Sequence, residues 1–182
     1  MIGIDEVGRG AWAGPLLVCA VRLNGTIIGL KDSKKLTKLK REQLALEIIE
    51  KSDVGYGWVS AGKIDEGGLT NALKLASMIA YDQIKNDPKE QIIIDGNINF
   101  LEGQNVLTVI RADDKYPVVS AASIVAKVAR DKYMADLSNE YPLFSFEKHV
   151  GYGTKVHMLA LAELGPIPGL HRMSFRPVKK QV

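Results

Sequence analysis

Four acidic residues stand where the chain leaves short apolar runs. Asp5 and Glu6 close the apolar start Met1-Ile-Gly-Ile, and Asp95 ends Gln91-Ile-Ile-Ile just before Gly96. Asp113 comes shortly after Val106–Ile110, with Asp114 beside it. Side chains alternate along a strand, so Asp5 and Glu6 leave it in different directions. An acid that points back into a sheet face needs a cation or a hydrogen-bond donor, because burying an unpaired carboxylate is costly. If the four acids converge, they repel one another at neutral pH unless cations intervene. Hard divalent cations suit carboxylate oxygens, which favours Mg²⁺ or Mn²⁺ over zinc. The chain has no Cys/His cluster for zinc, and His149, His157 and His171 all come late. Two such ions, roughly 3.5–4 Å apart, stabilise the attacking and leaving oxygens of an in-line phosphoryl displacement. Taken singly, each acid also reads as an ordinary polar turn.

A second set of residues suits a polyanion. Gly8 and Gly10 flank Arg9; glycine permits positive φ and close backbone approach, and a guanidinium suits a phosphate. Lys34 and Lys35 lie just ahead of a helix start, where anions are favoured, although a solvated loop has the same composition. Ser123, Lys127 and Asp131 are four apart and share one helical stripe, which is either a solvated face or the lining of a site. Tyr152, between Gly151 and Gly153, has little local packing and makes a stacking platform for a sugar or base. Asn71 is a polar residue on an otherwise amphipathic helix. The tail carries His171, Arg172 and Arg176, cations for a polyanion or parts of a docked terminus.

These residues need strands and helices to position them. Met1–Asp5 and Gly14–Leu23 read as strands. Asn24-Gly25 is a hairpin signal that returns Thr26–Leu30 as a third, an opening antiparallel meander. Thr37 caps a helix over Lys38–Lys51, with Leu39, Leu44, Ile48 and Ile49 at helical spacing. Asp53–Ala61 reads as a strand and Leu69–Lys85 as a helix, ended by Asn86-Asp87-Pro88. Gln91–Asn97 resembles a central strand covered on both faces, and its terminal acid sits where open α/β sheets place ligands. Val106–Ile110 is a further strand and Val118–Asn139 a long helix led by Pro117. Phe144–Val150 is irregular, and a last helix, Lys155–Leu164, has Thr154 as its cap and Gly165 as its stop.

The 182 residues suggest one domain with a real core, and 46% hydrophobic with 25% charged residues is ordinary for a globular chain. A net charge of +3 leaves room for a local basic surface without demanding one. The single Cys19 lies in an apolar strand, which excludes an internal disulfide and suits a reducing cytoplasm. Asp5 and Glu6 interrupt any apolar leader, and Gly14 and Pro15 break the Trp12–Val21 run, so neither a signal peptide nor a membrane span is expected.

Together the motifs resemble a known family. Asp5-Glu6-Val7-Gly8-Arg9-Gly10 is similar to the opening signature of ribonuclease HII, the type 2 ribonucleases H. Asp32-Ser33-Lys34-Lys35-Leu36 resembles its second signature; Ala121-Ala122-Ser123-Ile124 and Gly151-Tyr152-Gly153-Thr154 resemble later ones, in the same order. The resemblance covers Ile4 to Pro177. It implies a ribonuclease H-like α/β fold, a mixed central sheet with an antiparallel meander flanked by helices, in a single catalytic domain over 1–182. It implies a two-metal site for Mg²⁺ or Mn²⁺ held by Asp5, Glu6, Asp95 and Asp113. Gly8-Arg9-Gly10 would read the ribose 2′-hydroxyl, and Tyr152 the deoxyribose on its 3′ side. Lys34, Lys35, Asn71, Ser123, Lys127 and Arg172 are the further expected substrate contacts. The expected partners are RNA–DNA hybrids and DNA duplexes that contain ribonucleotides, met by a cytoplasmic monomer with no membrane association. The implied reaction leaves a 3′-hydroxyl and a 5′-phosphate.

Three positions depart from the usual pattern: Arg111 replaces a common Lys, Val150 precedes Gly151 where Lys is frequent, and Asp114 doubles Asp113. The spacing to Lys115 favours Asp113 as the ligand. Ribonuclease HIII resembles the same family but carries Gly-Lys-Gly in place of Gly-Arg-Gly. Two other readings stand beside this one: a nuclease of the same fold such as a junction resolvase, and a non-catalytic nucleic-acid-binding module that needs no metal.

Overall fold

A computed structural model describes residues 1–31, 33–85, 87, 89–102 and 105–180. Asp32 of the second signature, the helix-ending Asn86 and Pro88, and the terminal Gln181 and Val182 lie outside the described residues. The chain forms two compact units. The first comprises Met1–Val7, Leu17–Trp58 and Leu73–Val128; the second comprises Gly8–Leu16, Val59–Ala72 and Ala129–Val182.

The first unit is built on a five-stranded sheet: β1 (Ile2–Val7), β2 (Leu16–Leu23), β3 (Ser52–Val59), β4 (Ile92–Asp95) and β5 (Val106–Val109). Their order is β3-β2-β1-β4-β5. β1 runs antiparallel to β2 and parallel to β4, and β5 is parallel to β4. The sheet is therefore mixed, with β1 at its centre. β4 is the near-continuous apolar run of a doubly covered strand, and Ile92, Ile93 and Ile94 are all buried.

The expected third strand at Thr26–Leu30 does not form. Those residues are turn and irregular backbone, and Ile28 is 85% exposed. The edge of β2 is taken by β3 instead, and the Asn24 amide donates to Asp53 Oδ1 at 3.2 Å near the start of that strand. Of that arm only Ile27 is buried, and a good turn dipeptide does not by itself hold a hairpin.

Helix α1 (Lys38–Lys51) has the expected bounds, and Thr37 Oγ1 accepts from the Lys40 N–H at 3.3 Å. Its buried side chains are Leu44, Ala45 and Ile48, while Leu39 and Ile49 are exposed. Helix α2 (Ala61–Asp82) starts earlier than expected and breaks at Gly68, which has φ 80°. Along its later part Ala72, Leu73, Ala76, Ala80 and Tyr81 are buried, and Ile79 is exposed. β3 approaches it closely: a Cβ on Gly57 would lie 1.8 Å from the Ala76 carbonyl oxygen, and one on Gly55 2.0 Å from that of Ala80. Helix α3 (Pro117–Glu140) begins against β1, where a Cβ on Gly3 would meet the Val118 main chain at 2.4 Å. A glycine inside a strand often marks such close backbone approach.

The second unit has its own core of Ala13, Met134, Phe144, Phe146, Ala160 and Leu161. Its shorter helices are α4 (Phe146–His149), α5 (Lys155–Leu164) and α6 (Arg176–Lys179). The expected irregular stretch Phe144–Val150 contains α4, a single turn. Thr154 caps α5 by accepting from the His157 N–H at 3.3 Å, and Gly165 ends it with φ 72°.

Candidate active site

The sheet register brings three of the four candidate ligands to one end. Ile4 is paired with Ile94 across the parallel β1–β4 ladder, so Asp5 and Asp95 occupy the next positions on neighbouring strands. Asp95 Oδ1 accepts from the Ala112 N–H at 2.7 Å, which ties the end of β4 to the residue before Asp113. Asp113 is buried in a single 3₁₀ turn, Ala112–Asp114, and its carbonyl accepts from the Ser120 hydroxyl. Glu6, next to Asp5, donates its N–H to Asp5 Oδ1 at 2.8 Å.

Burial pushes the Asp5 carboxyl well above the usual range, and the charges of Glu6 and Asp95 raise it further. A hydrogen bond from Ser123 and the Glu6 N–H oppose the rise. This is the signature of a carboxylate forced among like charges in a low-dielectric place, and an adjacent cation would reverse it. Opposite Asp5 on β2 stands Cys19, a buried free thiol pushed up by burial and then by Asp5. Among the described residues, no three His, Cys, Asp or Glu side chains are spaced as a ready-made metal group.

Ser123 does more than share a stripe. It is buried on α3, bonds Asp5, and lies 3.1 Å from the Ser33 hydroxyl of the second signature. Lys127, one turn further on, is half-buried. Lys35 pairs with Asp114 and holds that carboxyl below its usual range, so Asp114 already has a cation. Lys34 is exposed on the same 3₁₀ turn, Ser33–Lys35. A cavity of about 190 Å³ beside it is lined by Lys31, Lys35, Asp113, Asp114, Lys115 and Ser120.

In the second unit, the structure brings Tyr152 to the Gly-Arg-Gly loop. The Gly8 N–H donates to the Tyr152 hydroxyl at 3.1 Å, and the Arg130 guanidinium lies 5.6 Å from the Tyr152 ring centroid. Gly8 has φ +85°, and a Cβ there would lie 2.2 Å from Arg130 Nε. Gly10 is exposed, and a Cβ there would meet nothing within 4 Å. Arg9 is exposed. Gly8→Ala should therefore cost about 1–3 kcal/mol from backbone conformation alone, and more from the collision. Urea unfolding measures this, and a variant as stable as the parent would contradict it.

Arg172 departs from its expected role as a phosphate contact. It is fully buried, and its guanidinium donates to the carbonyls of Gly14 and Arg9. Burial lowers its pKa to about 10. It holds the loop from within. Asn71 is exposed and donates to the Gly67 carbonyl at 2.8 Å, beside the break in α2.

Sequence reading missed Arg130. It is fully buried and donates to the carbonyls of Pro15, Val150 and Ala13. Nothing in the sequence separates it from Lys127 and Lys132 of the same helix, neither of which is buried. Gly3 was likewise passed over, although a glycine within a strand was the available signal.

Comparison with known proteins shows the family and the fold. The family model for ribonuclease HII matches residues 2–178. Ribonuclease HII of Aliarcobacter butzleri is 45% identical over 97% of the chain and 90% of that protein. The Thermotoga maritima enzyme is 43% identical over 97% of the chain and 73% of its own length. Among solved structures, the Archaeoglobus fulgidus ribonuclease HII in complex with PCNA superposes with a TM-score of 0.84 at 31% identity, covering 99% of this chain and 95% of that one. Pyrococcus horikoshii ribonuclease H2 gives 0.81 at 27% identity, with the same coverage. A Bst ribonuclease HIII with Mn²⁺ gives 0.78 at 22% identity over 99% of this chain and 68% of that one, a likeness of fold.

The fold is thus the ribonuclease H type, and the activity that goes with these relatives is that of a ribonuclease H endonuclease. Within that class, the chain belongs to the ribonuclease HII family.

Proposed function

We propose that the chain, acting as one catalytic domain over 1–182 and as a monomer, cleaves the RNA strand of RNA–DNA hybrids and cuts 5′ of ribonucleotides embedded in duplex DNA. Asp5, Glu6, Asp95 and Asp113 would hold two divalent ions, Mg²⁺ or Mn²⁺. The observation that carries this is the register: Asp5 and Asp95 follow the paired Ile4 and Ile94 on neighbouring parallel strands, and Asp95 is tied to the residue before Asp113. The donor set fits such ions, being all hard carboxylate oxygen, and the charge crowding at Asp5 is what a cation relieves. When bound, the ions would activate water and stabilise the departing oxygen. The Mn²⁺ of the ribonuclease HIII relative supports the choice of ion class.

The chain's own groups orient the rest. Ser123 holds Asp5 in place. Lys34 and Lys35 would meet phosphates. The main chain of Gly8-Arg9-Gly10 would hydrogen-bond the 2′-hydroxyl, the group that separates RNA from DNA. Tyr152 would stack on the next sugar where no 2′-hydroxyl stands. Its hydroxyl already accepts from Gly8, so the two loops, joined at that bond, would sense adjacent sugars together. The PCNA complex of the Archaeoglobus relative supports a protein partner as a class. No described helix is long and apolar enough to cross a membrane.

A labelled RNA–DNA hybrid, incubated with Mg²⁺ or Mn²⁺ and again with a chelator, tests the reading. Cleavage should need the ion. Binding without cutting would favour the non-catalytic module; cutting of branched DNA with the hybrid intact would favour a resolvase. Each phosphate contact adds roughly 0.9 to the log–log salt slope on B-form DNA. Lys34→Ala should make the slope shallower by about one contact, and an unchanged slope would leave Lys34 as a solvated side chain. Tyr152→Ala should lose much of the preference for a 3′ deoxyribose while keeping metal-dependent cleavage; retention of that preference would remove Tyr152 from the reader.

A further inference from the structure

All three histidines of the chain are buried in the second unit. The rings of His149 and His157 stack with centroids 4.3 Å apart, and His157 Nε2 lies 3.1 Å from His171 Nε2. Two ring nitrogens that face each other bond only if one carries a proton and the other does not. The main chain decides which. The Ile167 N–H donates to His171 Nδ1 at 2.9 Å, so that nitrogen is bare and the His171 proton is on Nε2. It donates to His157 Nε2, which places the His157 proton on Nδ1, 3.0 Å from the Tyr152 carbonyl. The order is fixed from the Ile167 N–H through His171 and His157 to Tyr152. His149 is set separately: Nδ1 accepts from the Gly151 N–H at 3.2 Å, and Nε2 donates to the Phe144 carbonyl at 2.8 Å.

Both ends of this chain bear on the loops that carry Tyr152 and Gly8. His171 bridges to Ala13, and the next residue, Arg172, holds the Arg9 and Gly14 carbonyls. The Gly151 carbonyl accepts from the Trp12 and Ala13 N–H groups. An added proton on any of the three rings would set a donor against a donor. Burial holds His157 and His171 down to about 4 and lowers His149. The charged groups around them are Glu147, which favours a proton on His149, together with Arg130, Arg172 and Asp65.

We propose that His171 and His157 are positioning residues, a neutral pair of fixed proton order that sets the Tyr152 loop against the Gly8–Gly14 loop and so sustains discrimination of an RNA-to-DNA junction. The functional half of this rests on the role given to Tyr152 above; the proton order does not. A neutral His157 in the folded chain, charged when unfolded, stabilises the fold fully above its ordinary pKa. That contribution falls away as pH drops from about 6.5 towards 4.

Ring nitrogen NMR of the full chain at pH 7 tests the order directly. His157 should be the Nδ1–H tautomer, with His149 and His171 both Nε2–H. A His157 in the Nε2–H form, or any of the three titrating near pH 6.5, overturns the proposal. The activity arm compares a duplex containing one ribonucleotide with an all-RNA strand on DNA. His157→Phe keeps a ring of similar shape and should lower the ratio of the two rates by roughly tenfold to a hundredfold. His157→Asn, whose amide N–H reaches the Nδ1 position, should recover most of it. Equal loss on both substrates would make His157 merely structural. If Tyr152→Ala leaves junction preference unchanged, the reading of Tyr152 fails, and the NMR result alone decides the histidine order.

Discussion

Asp5→Asn should lower turnover on an RNA–DNA hybrid by at least ~10³, on the order of 4 kcal/mol of transition-state stabilisation, while hybrid binding largely survives. The amide keeps the size of the carboxylate and loses only its charge and one acceptor site. In the metal-free protein that charge is a burden, because Asp5 is buried beside Glu6 and Asp95. A carboxyl whose folded pKa is raised stabilises the fold below its unfolded value and loses that contribution as pH rises through the folded one. The variant should therefore melt at the same temperature as the parent or higher at pH 7 without metal. A residue that only supported the fold would behave in the opposite way. Near-parental turnover at saturating Mg²⁺ would remove Asp5 from the ligand set.

Arg130→Met should destabilise the chain by about 3–5 kcal/mol, because each buried carbonyl left without a donor costs about 1–3 kcal/mol. The guanidinium donates to three carbonyls, those of Pro15, Val150 and Ala13, and a thioether replaces none of these bonds. Removing a desolvated charge returns part of the loss, since burial already lowers the Arg130 pKa. Arg130→Lys should recover little, because an ammonium lacks the planar fork that spans the three acceptors. Urea unfolding gives the number; a loss below about 1 kcal/mol would show that the carbonyls find other donors.

The long periodic elements were legible in the sequence because their causes are local. Thr37 and Thr154 cap the helices that follow them, and the apolar β4 run ends on its acid as expected. The candidate acids were legible because each follows an apolar run in the sequence, although Asp5 and Glu6 lie inside β1, Asp95 ends β4 and Asp113 falls in the turn beyond β5. What escaped was set by tertiary contact. Thr26–Leu30 has the turn and the residues of a strand, but the edge it would occupy belongs to β3. Leu39 and Ile49 fit a helical period and still face outward. Arg172 and Arg130 look in sequence like any basic residues of a nucleic-acid-binding chain. Their burial follows from carbonyls contributed by residues more than a hundred positions away for most of their bonds. Tyr152 was read from its glycine neighbours, yet its hydrogen bond to Gly8 spans the whole chain length between the two motifs.

The most direct test is a labelled DNA duplex that carries one ribonucleotide, run with Mg²⁺ or Mn²⁺ beside an all-RNA strand on DNA. The account predicts that both are cut, that the single-ribonucleotide duplex is cut on the 5′ side of the ribonucleotide to leave a 3′-hydroxyl, and that a chelator stops both reactions. Cleavage of the all-RNA strand alone would contradict the junction reading by Gly8, Arg9, Gly10 and Tyr152, and cleavage that persists in chelator would contradict the metal role of Asp5, Glu6, Asp95 and Asp113.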